Sequence, residues 1–125
     1  MKKCYLIGNV LKIISLIFLV LFIFSGNIKA NQKNVMLMIT DKSCLYCIVW
    51  EKQIGSVYPK TEIAKKYPLV RIEKKNINDF RKYGLKKNTL TPTFIFLKNN
   101  KQIGSIQGYT NPEMFWWQVD EIIDE

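Results

Sequence analysis

The sequence contains no histidine. With no imidazole, a Cys–His catalytic pair, a histidine zinc site and a covalent haem-attachment signature are excluded on inventory alone. Acidic residues are missing from the first 30 positions, where Lys2, Lys3, Lys12 and Lys29 carry all the charge. The other 15 basic and 10 acidic side chains leave a net +5 over residues 31–125, which is only modestly basic. These lysines are scattered over the sequence, so the charge fits solubility and weak attraction to acidic partners better than nucleic-acid binding. No internal repeat is present, and three cysteines are too few for a multi-bridge scaffold.

The amino terminus has a basic start followed by an apolar run at residues 13–24, interrupted only by Ser15. Twelve helical residues rise about 18 Å, short of the ~30 Å hydrocarbon core, and starting at Val10 does not close the gap. Ser25, Gly26 and Asn27 break the run, and Ala30 is a small residue before which Ile28 and Lys29 complete a cleavage-site pattern. Residues 1–30 are therefore expected to be a signal peptide, with an N-terminal membrane anchor as the alternative. Either way residues 31–125 form one exported domain. Cys4 precedes the apolar run, so it is neither a lipid-attachment site nor a partner for the other two cysteines.

Those two, Cys44 and Cys47, come after the apolar stretch at residues 35–39, which suits a central strand covered on both faces. A strand feeding a turn and a helix puts both thiols on one helical face, with Cα atoms roughly 5 Å apart, inside the window for a disulfide. Ser43 is expected to cap that helix and Cys44 to occupy its first turn, where free N–H groups favour a negative sulfur. Such settings lower a thiol pKa from about 8.5 to roughly 3.5–7.5. An exposed Cys44 is then the nucleophile and Cys47, one turn deeper, the resolving thiol. Read from the residues alone, the pair is a redox couple, half of a metal site or a structural staple.

The helix is expected to run to about Val57, with Cys47, Trp50, Ile54 and Val57 on one side. Residues 69–73 alternate as a half-buried strand, and residues 78–83 form a short helix ended by Gly84. Residues 94–97 make a second apolar strand headed by Pro92, and 102–107 return as its hairpin partner. A cis Thr91-Pro92 bond facing the cysteines would leave the Thr91 backbone free to pair with an extended substrate segment. Asn111, Pro112 and Glu113 open a closing helix whose inner face is Phe115, Val119, Ile122 and Ile123; Trp116 and Trp117 cannot both share that face. Met36 and Met38 read as packing, not as metal ligands.

In this order the elements resemble the thioredoxin superfamily from about Val35 onward: an α/β fold with a central mixed sheet of about four strands flanked by helices. The resemblance rests on Cys44-Leu45-Tyr46-Cys47, on Thr91-Pro92 some 45 residues later, and on Gly108 before the terminal helix. Closer motifs, with Trp50 and Glu51 after the cysteines, Tyr109, and Phe115-Trp116-Trp117, are similar to small periplasmic thioredoxin-like proteins of sulfur-oxidation clusters, the SoxS/SoxW type. The resemblance implies a periplasmic thiol–disulfide oxidoreductase that returns a partner's oxidised cysteine to the thiol. That partner could be a sulfur-carrier protein. Cys44 and Cys47 would be catalytic, and Thr91, Pro92, Leu45 and Tyr46 would bind the substrate. No cofactor or metal is implied, and electrons would come from a membrane thiol reductase of the DsbD or CcdA kind. A cytochrome c maturation reductant and a redox-inert exported module with a permanent disulfide are the alternatives. The sequence departs from the family at Met38, where a buried aspartate is usual, and at Ser43, where tryptophan is usual.

Overall fold

The computed structural model describes residues 2–23, 34–86 and 90–124. The chain divides into two compact units, Met1–Asn31 and Gln32–Glu125. The first contains helix α1, Lys2–Ile23, whose side chains at residues 3–19 are exposed. Among the described residues, no helix is long and apolar enough to cross a membrane. The expected break and cleavage point at residues 25–30 lie outside the described residues.

The second unit is built on β1, Val35–Thr40, which carries five consecutive apolar side chains and is buried on both faces. A strand of that composition must lie inside a sheet with cover above and below. It pairs in parallel with β2, Leu69–Glu73, and antiparallel with β3, Thr93–Lys98. The edge strand β4, Lys101–Gln107, completes the order β2-β1-β3-β4. Asn99 and Asn100 take positive φ at the β3–β4 turn, the backbone that a tight hairpin demands.

Alternation along β1 and β3 divides the core in two. Met36, Met38, Phe94 and Phe96 face one layer with Trp50, Tyr67 and Phe115. Val35, Leu37, Ile39, Ile95 and Leu97 face the other, against Ile72 and Phe80. Phe80 comes from α4, Ile77–Lys82, which ends before Gly84 at positive φ, as expected. The first layer is covered by α2, Leu45–Trp50, and by α5, Pro112–Asp124. Close approach of α5 to the sheet depends on Gly104, where an added Cβ would lie 2.8 Å from both Cγ1 and Cγ2 of Ile122. A short helix α3, Glu62–Lys66, leads into β2.

The expected helix to Val57 is corrected. Regular α-helix stops at Trp50, and Glu51–Gly55 forms a π-turn. The wider turn rotates the residues after it, so Cys47, Trp50 and Ile54 remain buried while Val57 is 48% exposed. Gly55 accommodates the turn, since a Cβ there would strike the Glu51 carboxylate. That carboxylate is instead held by the Arg71 guanidinium on β2, with Nη2–Oε2 at 2.7 Å and Nε bonded to Oε1.

Candidate redox site

Cys44 and Cys47 form a disulfide with Cα atoms 5.2 Å apart, as the helical spacing requires. They sit where β1 delivers the chain to α2. The capping differs from expectation: Cys44 itself is the N-cap, with extended backbone, and its Sγ accepts a hydrogen bond from the Cys47 N–H at 3.1 Å. Ser43 instead turns back, donating both its N–H and its hydroxyl to Asp41 Oδ1 at 3.0 and 2.8 Å. An aspartate hydrogen-bonding the residue two ahead competes with any capping role for that residue. The same two bonds, the backbone one first, hold the Asp41 carboxyl below the usual carboxylate range, aided by Lys74 and Lys75. The N–H directed at Cys44 would support a thiolate there once the bridge opens, because hydrogen bonding to a charged form favours it.

Exposure also corrects the expectation of an open nucleophile. In the closed disulfide Cys44 keeps 9% of its surface and Cys47 2%. The asymmetry still has the expected direction, with the first sulfur the better exposed of the two. The intervening Leu45 and Tyr46 stand 67% and 60% exposed.

Thr91-Pro92 is cis. The antiparallel register pairs Ile39 with Thr93, so this peptide lies at the end of the sheet where β1 leaves for the cysteines. Pro92 is buried and its carbonyl accepts from the Gly108 N–H at 2.7 Å. Among the described residues, nothing hydrogen-bonds the Thr91 main chain. Cys44, Leu45, Tyr46 and Cys47 thus follow the end of β1, and Thr91 and Pro92 precede the start of β3, at the same end of the sheet.

Two neighbours were not legible as site residues. Tyr109 packs in the cluster that holds both cysteines, and its hydroxyl donates to Gln53 Oε1 at 2.6 Å. Burial holds its phenol above the ordinary range. Gln53 lies within the π-turn, which the sequence pattern does not announce. Met38, fully buried, occupies the position where the family places an aspartate, and the buried cluster around Cys47 contains no carboxylate among the described residues.

Residues 26–123 match a family described as thioredoxin-like domain. Among solved structures, the chain is similar to the periplasmic thioredoxin SoxS from Paracoccus pantotrophus in its reduced form: 25% identity and TM-score 0.63 over 74% of this chain and 97% of that one. It also shares its fold with the thioredoxin Mala s 13 of Malassezia sympodialis at 21% identity and TM-score 0.52, covering 72% of this chain and 75% of that one. Thioredoxin from Aeropyrum pernix gives 19% identity and TM-score 0.53, with 73% and 76% covered. No curated protein matches the chain.

Proposed function

From the premise that this chain belongs to the thioredoxin-like domain family, we propose that it is an exported, periplasmic thiol–disulfide oxidoreductase working as a reductant of a partner protein's cysteines. The observation that carries the reading is the Cys44–Cys47 bridge at the mouth of α2, with a Thr91 main chain at the same end of the sheet that no described residue bonds. Similarity to a periplasmic thioredoxin and the basic, apolar amino terminus support export.

In the forward direction the reduced enzyme offers Cys44 as thiolate. It attacks one sulfur of the partner's disulfide; the new bond joins Cys44 to that sulfur, and the partner's other sulfur leaves as a thiolate that takes up a proton. Cys47 then loses its proton and attacks Cys44 Sγ. The partner sulfur held on Cys44 departs as a thiolate and takes up the proton that Cys47 gave up, and the enzyme is left as the disulfide described above. The partner has gained two electrons and the enzyme has lost them. Thr91 and Pro92 would hold the partner's strand beside Cys44, and Leu45 and Tyr46 would cover its apolar side chains.

The Leu45-Tyr46 pair carries no charge to stabilise the thiolate further, which favours a reductant over a strong oxidant. An exported reductant needs two electrons per turnover from across the membrane, so a membrane thiol reductase of the DsbD or CcdA kind is the fitting donor. A sulfur-carrier protein of sulfur oxidation is the fitting substrate. A Cys47→Ser variant of the full chain, incubated with a periplasmic extract, is expected to accumulate as a mixed disulfide with its partner. Failure to recover any covalent partner, together with a Cys44–Cys47 reduction potential below about −300 mV, would instead mark the bridge as a permanent staple.

A further inference from the structure

Helix α5 presents an outer face that the fold does not use. Phe115 and Val119 point into the core, whereas Glu113, Met114, Trp117, Asp120, Glu121 and Asp124 are exposed. Trp117 is 58% exposed, while neighbouring Trp116 is partly covered by stacking on Tyr58 with ring centroids 6.0 Å apart. The face borders a groove of about 780 Å³ formed by Asn111, Glu113, Met114, Trp116, Trp117 and Asp120. Its charge has one sign: α5 contains no basic residue in a chain of net charge +9. Among the described residues none of its carboxylates forms an ion pair, although Glu62 and Glu51 elsewhere are both paired.

An exposed indole between uncompensated carboxylates is complementary to Lys and Arg side chains, whose stems lie on the ring while their charged ends meet the acids. The face also starts beside the redox site. Gly108 donates its N–H to the Pro92 carbonyl, Tyr109 belongs to the apolar cluster that includes both cysteines, and Asn111 caps α5 by accepting from the Met114 N–H at 2.9 Å. We infer that α5 is a docking surface for a lysine- and arginine-rich segment of the protein substrate, engaged at the same time as its cysteine strand meets Thr91-Pro92. The inference rests on the oxidoreductase reading and adds to it the chemistry of the substrate, a cationic protein segment near the reactive cysteine.

Two disulfide-bonded peptides, identical around the cysteine and carrying a lysine-rich or a glutamate-rich tail, test it with the full chain. The lysine-tailed peptide is expected to be reduced with about tenfold higher kcat/KM at low salt, the difference lying in KM and disappearing at high salt. Asp120→Lys combined with Glu121→Lys should reverse the preference, and Trp117→Ala should weaken it, with turnover of a tail-free peptide unchanged. Equal kcat/KM for the two tails, or a preference that survives charge reversal in a variant of unchanged Tm, would overturn the inference. Titration with a lysine-rich peptide lacking cysteine separates the two readings. Binding without disulfide reduction would sink the oxidoreductase reading alone, and reduction without binding would sink the docking surface alone. Self-association abolished by Asp120→Lys would overturn the inference by giving the face to a second copy of the chain.

Discussion

The Tyr109 hydroxyl donates to Gln53 Oε1, tying the loop before α5 to the π-turn after the cysteine helix. It is a part-buried bond between segments 56 residues apart in sequence. Tyr109→Phe removes the hydroxyl and leaves the ring in place, so stability is expected to fall by about 1 kcal/mol. A lower denaturation midpoint with an unchanged m-value would report that loss.

The two sulfurs should differ in reactivity once the bridge is reduced. Both cysteines border the same apolar cluster, but Cys44 keeps more surface than Cys47 and its Sγ receives the Cys47 N–H. Alkylation of the reduced chain with iodoacetamide is expected to label Cys44 at least about tenfold faster than Cys47. Peptide mapping of a time course gives the ratio, and equal labelling would remove the assignment of roles.

Gly104→Ala is expected to destabilise by about 1–3 kcal/mol, because the new methyl would overlap a β-branched side chain with little rotamer freedom. Ile122→Ala alone is destabilising through lost packing, but the double variant should recover part of the Gly104→Ala cost. A double-mutant cycle by chemical denaturation measures that coupling, and strict additivity would place the clash elsewhere.

At alkaline pH the fold should weaken through its buried phenols. Burial raises the Tyr58 hydroxyl, with nearby Tyr67 adding to the shift, and that hydroxyl donates to the Tyr67 carbonyl at 2.7 Å. Burial also raises Tyr67 and Tyr109. In the unfolded chain these groups ionise near pH ~10, while in the folded chain they hold their protons. The folded state therefore binds more protons above that pH, and stability is lost as pH rises further. Melting temperatures should be flat from neutral to about pH 9.5 and then fall, less steeply for Tyr58→Phe. Asp41 acts with the opposite sign at the acid end: its lowered carboxyl favours folding above the ordinary carboxylate range, and that contribution fades as the pH drops through its folded value.

Much of the fold can be read from the order of apolar runs, because β1 and β3 are too uniformly apolar to be anything but interior strands. The cysteine pair, Pro92 and the cap at Asn111 are legible for a local reason, since each acts through its own backbone or through neighbours three residues away. The features that escape the sequence are set by tertiary contact. At the π-turn the Glu51 carboxylate lies over Gly55 and is bound by Arg71 from another strand. Ser43 has the composition of a cap, but Asp41 satisfies it first and leaves the role to Cys44. Gln53 and Tyr109 meet only once both α2 and α5 are packed.

The position of β1 and β3 as the two interior strands has a mechanical consequence. One leads into the cysteines and the other begins at Thr91-Pro92, and they are neighbours in a single ladder. Neighbouring strands are held about 4.8 Å apart, and neither can slide or splay without breaking bonds on both of its sides. The cysteine pair and the Thr91-Pro92 peptide are therefore mounted on one stiff beam, and the spacing between them is expected to stay the same when the sulfur bridge opens or closes. Amide protons of residues 36–39 and 94–97 should accordingly be among the slowest to exchange, equally so in the dithiol and disulfide forms.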